Sequence, residues 1–141
     1  MTANANTGPA AASGAWNVVL WVLQVLIAAL FLFGAYGKLT SDPLTVAGFE
    51  AMGAGQWLRY VAGVAELAGG VGLLIPVLSG LASAGLVLLL VFATVISFAQ
   101  APVMAVFPAV TLLVVAVVAW GRRDRTAQLL RLLSGRSAQT A

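Results

Sequence analysis

Cysteine and histidine are both missing from this 141-residue sequence. Their absence excludes dithiol redox chemistry, thiolate metal sites, haem ligation by histidine, and nucleophilic catalysis by Cys–His or Ser–His pairs. Any chemistry at this protein therefore requires a partner chain or a bound cofactor. We expect no catalytic residue, no metal site, and no enzyme activity of the chain on its own.

Charged side chains are also scarce: they make up 8% of the sequence, whereas hydrophobic residues make up 62%. An average globular sequence is about one quarter charged, and a soluble domain of this length cannot bury so much apolar surface. The sequence therefore predicts an integral membrane protein, whose first partner is the lipid bilayer.

The few basic residues are concentrated near the end of the sequence. Five of the seven lie within the last twenty positions, namely Arg122, Arg123, Arg125, Arg131 and Arg136. Anionic lipid headgroups, and the bias of basic residues toward the cytoplasmic side of a membrane, are sufficient reasons for such a tail. A nucleic-acid partner is therefore not expected.

Four apolar runs have the length of membrane-spanning helices, since about 20 residues at about 1.5 Å per residue cross about 30 Å of hydrocarbon. The runs cover about 16–37, 57–75, 81–99 and 102–120. Pro102 separates the last two runs, and the in-out alternation of barrel strands is absent. The expected fold is all-α, an integral membrane four-helix bundle over residues 16–120.

The number of crossings and the tail together predict an orientation. An even number of crossings places both termini on one side, and the arginine-rich tail assigns that side to the cytoplasm. We expect an N-in, C-in, multi-pass protein of a bacterial plasma membrane, with residues 121–141 as a basic cytoplasmic tail. Residues 1–15 contain no Lys or Arg, so they predict a disordered leader rather than a cleaved signal peptide.

Two further helices are predicted outside the spans. Ser41-Asp42-Pro43 is a helix start, with an N-cap oxygen followed by proline, and Gly53-Ala54-Gly55 is a stop. A short helix from Pro43 to Met52 should therefore lie over the outer mouth of the bundle. The tail from Arg122 to Leu133 is amphipathic, with leucines opposite polar residues, which is typical of an interfacial helix.

Glu66 is the first candidate for a functional residue. A carboxyl group inside a transmembrane helix is costly unless it is paired, protonated or hydrated. Lys38, which ends the neighbouring span, and Arg59, two turns earlier on the same face, are the basic residues within reach. The sequence predicts an ion pair or network that joins Glu66 to one of them.

Small residues surround Glu66 at helical spacing. Gly63, Gly69 and Gly70 lie three or four residues away, so they should form a smooth face for close helix packing, with the carboxyl turned toward the bundle interior. Three interpretations of Glu66 stay open. It is a carboxyl that fixes helix register, a proton-titrating group of a transporter, or a polar anchor for a lipid-soluble ligand such as a quinone headgroup.

Three uncharged polar side chains are further candidates. Gln24 lies near the middle of the first span, where an unpartnered amide is costly, so it should hydrogen-bond to another helix; contact with a ligand is the alternative. Tyr36 and Tyr60 fall near span ends, as an aromatic belt requires, and could instead turn inward toward Glu66.

The order of these elements resembles the DoxX-like family of small membrane proteins. The shared pattern is Gly34-Ala35-Tyr36-Gly37-Lys38, then Phe49 and Gly53, then Gly63 to Gly70 around the acidic residue, then Leu73 to Pro76. The resemblance covers residues 16–120 and implies a four-helix membrane bundle. The positions that it carries over are Lys38, Glu66 and the pair Gly69-Gly70.

The resemblance also implies a cellular setting. Members are associated with membrane redox systems, including a thiosulfate:quinone oxidoreductase subunit, and with partners of thiol and oxidant defence enzymes. The first functional hypothesis is therefore an auxiliary or anchoring subunit of a redox or stress-response complex, with a quinone or lipid site near Glu66. Ile96-Ser97 stands where many relatives have a histidine, and the cysteine pairs of some relatives are missing, which argues against an independent redox or metal role.

Two other hypotheses compete with this one. A small proton-coupled transporter would work as a homo-oligomer, but four-helix exporters of similar size place their essential glutamate in the first helix, where this sequence has Gln24. In a purely structural membrane protein, Glu66 would specify helix packing and nothing else.

Overall fold

The computed structural model describes residues 10–138, and within them the side chains of residues 14–135. Every regular element in this range is a helix, so the all-α prediction is confirmed. The α-helices are α1 (Ala10–Leu39), α2 (Pro43–Ala51), α3 (Gln56–Leu74), α4 (Ser79–Gln100), α5 (Val106–Gly121) and α6 (Arg123–Ala138). A 3-10 turn at Pro102–Ala105 leads directly into α5.

The four predicted runs correspond to α1, α3, α4, and the 3-10 turn with α5. The last three agree closely with their predicted bounds, whereas α1 begins at Ala10, inside the segment predicted as a disordered leader. The prediction is therefore corrected for residues 10–15, where alanine, the strongest helix former, favours an earlier start. Residues 1–9 of the predicted leader lie outside the described residues.

Three segments of the described chain are long and apolar enough to cross a membrane. They are Gly14–Leu39, Ser79–Gln100 and Pro102–Gly121. Large apolar side chains on these segments, such as Phe33, Leu88 and Leu113, are exposed on the outside of the packed helices, which is the arrangement expected in lipid. Together these features indicate a multi-pass membrane protein. The apolar character of α3 is lower because it contains Arg59 and Glu66.

α1, α3, α4 and α5 pack around a shared apolar core. α1 lies along α3, α3 along α4, and α4 along α5, while α1 contacts α5 less extensively. The buried members of the core are Leu20, Ile27, Ala28, Phe31, Leu73, Leu86, Leu90, Val115 and Val118. Because all four helices contribute to it, the core fixes the position of α3 against its neighbours.

The packed helices have two ends that differ in their polar residues. The Lys38 end comprises the end of α1, the helix α2 and the start of α3. The Arg122 end comprises the start of α1, the turn at Pro76 between α3 and α4, the end of α5, and α6. Each end carries its own set of hydrogen bonds.

α2 occupies the part of the sequence where a short helix was expected. Its N-cap is Asp42, whose carboxylate accepts hydrogen bonds from the backbone N–H and the hydroxyl of Thr45, at 3.1 and 3.2 Å. Pro43 follows at the start of the helix, and positive φ angles at Gly53 and Gly55 turn the chain away after it. The local residues therefore explain both bounds of α2.

α6 begins directly after Arg122 and rests on the start of α4. The contact is close at Gly80, where an added Cβ would lie 2.8 Å from the Arg122 carbonyl oxygen. Thr126 and Leu129 are half-buried, whereas Leu130 and Leu132 are exposed. α6 is thus held to the packed helices along one side and open along the other.

Candidate functional site

An ion pair joins α1 to α3 at the Lys38 end. The Lys38 Nζ lies 2.9 Å from Glu66 Oε2, with side chains that are 19% and 14% exposed, and no other ion pair occurs among the described residues. α1 passes close to the carboxylate at Gly34, where an added Cβ would lie 2.9 Å from the same Oε2 atom. The predicted pairing of Glu66 with Lys38 is what the structure shows.

The three glycines predicted to serve helix packing lie at two different interfaces. An added Cβ at Gly63 would lie 3.0 Å from the Lys38 Cβ, and one at Gly70 would lie 3.3 Å from the Ala28 carbonyl oxygen, so both positions face α1. Gly69 faces α4 instead, against the Leu86 side chain. The small face around Glu66 thus lets α3 approach one helix on each side.

Arg59 does not pair with Glu66. Its buried guanidinium donates to the Lys38 carbonyl oxygen, to Gln56 Oε1 at 2.6 Å, and to Ser41 Oγ at 3.1 Å. The Lys38 carbonyl is in the last turn of α1, where backbone oxygens lack an intrahelical partner and a cation is favourable. Arg59 therefore caps the end of α1, and of the two predicted partners of Glu66 the structure shows Lys38.

Neither tyrosine of the candidate set bonds to Glu66. The Tyr60 ring lies under the Arg59 guanidinium, 4.2 Å from its central carbon, and its hydroxyl is 3.4 Å from Ser41 Oγ. Tyr36 is 67% exposed and points away from the packed helices. Tyr60 belongs to the Arg59 cap, and the exposure of Tyr36 fits the aromatic-belt interpretation.

Gln24 forms bonds across helices at the Arg122 end. Its side chain is fully buried, and its Nε2 donates to the Leu73 carbonyl oxygen at 2.7 Å. That carbonyl is in the last turn of α3, where no intrahelical donor remains for it. The Gln24 Oε1 accepts from Arg122 Nε at 2.6 Å, so this one amide connects α3 with the residue that follows α5.

Arg122 is the polar residue that sequence reasoning missed. The sequence predicts it as part of the basic tail over residues 121–141, but its side chain is only 5% exposed. One terminal nitrogen donates to Asn17 Oδ1 at 2.7 Å, the Trp21 ring lies 5.6 Å from the guanidinium carbon, and the second terminal nitrogen has no partner. Asn17 and Gln24 are seven residues apart on one face of α1, and that polar stripe was the available signal.

The charge of Arg122 persists despite its burial. Burial lowers the pKa of the Arg122 guanidinium from its ordinary value, and the neighbouring cation of Arg125 lowers it further. An arginine side chain is not deprotonated in proteins, so the guanidinium keeps its charge. The amide oxygens of Asn17 and Gln24 satisfy hydrogen bonds but supply no negative charge.

Two apolar grooves lie on the surface of α3. One lies between α3 and α4, with Gly72, Leu81 and Gly85 among its lining residues, and the other is formed by α3 residues from Tyr60 to Ala68. Glu66 lines neither groove. The carboxylate is therefore engaged by Lys38 and covered by α1, and a quinone site at Glu66 stays a prediction.

A comparison with known proteins identifies the family of this chain. Neither the curated proteins nor the solved structures contain a match to this chain. The sequence pattern of the DoxX-like family matches residues 22–119, which is more than half of the chain, and confirms the resemblance that the order of Lys38, Glu66 and the glycines indicated. The chain therefore belongs to the DoxX-like family.

Proposed function

We propose that this DoxX-like protein is an auxiliary or anchoring membrane subunit of a redox or oxidative-stress assembly. The observation that carries the proposal is the placement of α6. This helix is held to α4 through Gly80, and it presents Leu130 and Leu132, which are 58% and 65% exposed, beside the arginines of the tail. A fixed helix with exposed leucines and cations is a suitable docking surface for a partner at the membrane surface.

The proposal includes a topology with four crossings. α3 is the fourth spanning helix, since it lies along both α1 and α4 and its two charged side chains, Arg59 and Glu66, are turned into the packed helices. Both termini are cytoplasmic because Arg122, Arg123, Arg125 and the rest of the tail follow α5. α2 then lies over the outer mouth of the bundle in a bacterial plasma membrane.

Within this proposal the Lys38–Glu66 pair has a positioning role. A carboxylate already engaged by an ammonium group 2.9 Å away contributes to the register of α1 and α3 more directly than to ligand binding. The pair keeps the Arg59 cap and the α1 end together, and so supports the same packed helices on which α6 rests.

The test compares native complexes in membranes that carry wild-type or variant protein. The α6 variant Leu130→Ser/Leu132→Ser should abolish a larger native complex on non-denaturing gels, whereas Glu66→Gln should retain it. Leu44→Ser is the matched control, because Leu44 is a leucine on α2 that is 85% exposed at the other end of the molecule. A partner that is not an oxidoreductase would contradict the redox part of the proposal, and a complex unaffected by the α6 variant would contradict the docking part.

A second measurement separates the competing functions at Glu66. The purified full chain in nanodiscs is compared with Glu66→Gln for bound quinone and for proton release when a quinone is added. Proton release that Glu66→Gln abolishes would favour a proton-coupled transporter working as a homo-oligomer. Bound quinone that Glu66→Gln removes would place the quinone site there, and a change in stability alone would leave the structural interpretation.

A further inference from the structure

An apolar groove follows α3 and α4 to the Arg122 end. Its volume is about 300 Å³, at the lower limit of the range of about 300–1,000 Å³ usual for ligand pockets. Gly72, Leu78 and Leu81 line the part nearest the turn at Pro76, and the groove is open at Gly85, where an added Cβ would meet no atom within 4 Å. The groove therefore has room for hydrocarbon along the outside of the packed helices.

Two guanidinium groups lie at the same end of the molecule as this part of the groove. Arg125 on α6 donates to the Pro76 carbonyl oxygen at 3.4 Å, and its remaining N–H groups have no acceptor among the described residues. Arg122 is close enough for the two cations to affect each other, and one of its terminal nitrogens also lacks a partner. Asp124 is the carboxylate of this end, and it forms no ion pair with any described residue.

We propose that the groove and Arg125 bind one anionic phospholipid. An acyl chain lies in the groove between α3 and α4, and the headgroup phosphate binds Arg125 at its end, in the positive field of Arg122. The site is separate from the Lys38–Glu66 pair and does not depend on a redox role.

Charge complementarity favours a lipid over a second copy of the chain in this groove. Two copies related by an axis along the membrane normal would bring the same arginine-rich ends side by side, and like charges at an interface oppose association. An anionic lipid instead supplies the negative charge that the two guanidinium groups lack.

Lipid titration of the purified full-length protein in detergent tests this proposal, with binding followed by native mass spectrometry. The probes are dioleoyl-phosphatidylglycerol and dioleoyl-phosphatidylcholine, which have the same acyl chains but differ in net charge. We expect the anionic lipid to bind about tenfold more tightly, and Arg125→Gln to reduce that affinity about fivefold. Arg123→Gln, which removes an equal charge from a side chain stacked 4.7 Å from the Trp120 ring, should change it by less than about twofold.

Two glycine substitutions test the part of the site that binds the acyl chain. Gly85→Leu should fill the groove and weaken binding of both lipids about tenfold. Gly48→Leu makes the same change on α2, where an added Cβ also meets no atom within 4 Å, and should leave both affinities unchanged.

Four results would overturn the proposal. The first is equal affinity for the two lipids, and the second is an equal loss of lipid affinity in Arg125→Gln and Arg123→Gln. The third is displacement of the lipid by millimolar inorganic phosphate. The fourth is loss of a dimer in Gly85→Leu with unchanged lipid affinity. The third would assign the cationic site to free phosphate, and the fourth would assign the groove to a second copy.

Discussion

Each end of the packed helices buries an arginine that has no carboxylate partner among the described residues, but only the Lys38 end also contains an ion pair. At the Lys38 end the ammonium group has a carboxylate of the same chain 2.9 Å away. At the Arg122 end the guanidinium is bonded to the amide oxygens of Asn17 and Gln24, and the described residues provide no carboxylate for it. The ammonium group of Lys38 is neutralised within the chain, whereas Arg59 and Arg122 are bonded only to neutral oxygens.

This difference shows that hydrogen bonding and charge balance are separate requirements. Amide oxygens satisfy donors and hold a guanidinium in one orientation, but a buried cation without a counter-ion remains unfavourable in a medium of low dielectric constant. Lipid headgroups are one source of negative charge for a membrane protein, and Arg122 lies just after α5, at the end of a segment long enough to cross a membrane.

Loss of the Arg122 side chain should have the largest effect on stability. Arg122→Ala leaves the fully buried Gln24 oxygen without its donor and removes the packing of the buried arginine side chain, so we expect the free energy of unfolding to fall by about 3–4 kcal/mol. The free energy of unfolding is measured in mixed detergent by following tryptophan fluorescence. Arg123→Ala is the control at an exposed arginine, and equal losses for both variants would show that the buried hydrogen bonds are unimportant.

Removal of Lys38 should have the next largest effect. Lys38→Met leaves the Glu66 carboxylate unpaired and mostly buried, and we expect a loss of about 2–3 kcal/mol, below the range for fully buried pairs because both side chains retain some exposure. In a double-mutant cycle, the double variant Lys38→Met/Glu66→Gln should recover part of the lost free energy of unfolding. Additive losses would mean that the two residues stabilise the protein independently.

A smaller effect is expected at Gly34. In Gly34→Ala the new Cβ would lie 2.9 Å from Glu66 Oε2, so the carboxylate must move and the ion pair weakens, with a loss of about 1–2 kcal/mol. Gly48→Ala, at an open position on α2, should be neutral or slightly stabilising. If the two substitutions behave alike, α1 does not approach the carboxylate as closely as described.

The smallest effect is expected at the N-cap of α2. Asp42→Ala removes the acceptor for the Thr45 N–H and should lower stability by about 0.5–1 kcal/mol. Asp42→Asn keeps an oxygen acceptor and should retain most of the stability that the cap provides. Thermal unfolding of the two variants provides the measurement. A loss as large as that of Lys38→Met would show that the cap contributes as much as the ion pair to the Lys38 end.

The helices and one of the two polar centres could be predicted from the sequence. Lys38 and Glu66 are opposite charges in a region with few others, so their pairing was one of the two that helix order predicted, and the pairing with Arg59 was the other. The partner of Arg59 could not be predicted in the same way, because one of its acceptors is the Lys38 carbonyl. Every residue has a backbone carbonyl, so the sequence does not indicate which one accepts a hydrogen bond. The early start of α1 was missed because small residues are compatible with both a leader and a helix.

The Arg122 centre was missed for a different physical reason. A basic residue that follows a spanning helix is usually solvated, and four arginines after it in the tail made the solvated interpretation natural for Arg122 as well. The distinguishing information was on α1, where Asn17 and Gln24 share one face with buried Leu20. Two amides on an otherwise apolar face indicate a polar partner, but they do not identify which of the distant residues it is.

The bond between Gln24 and Arg122 joins residues that are 98 positions apart. Synthesis runs from α1 toward α5, so Arg122 is made only after every residue of α1, α3, α4 and α5. The Leu73 carbonyl can receive the Gln24 amide once α3 arrives, but the amide oxygen and Asn17 must wait for the end of α5. The bonds of Arg122 can therefore form only after the chain has been made through the end of α5, and they join α1 to the residue that follows α5.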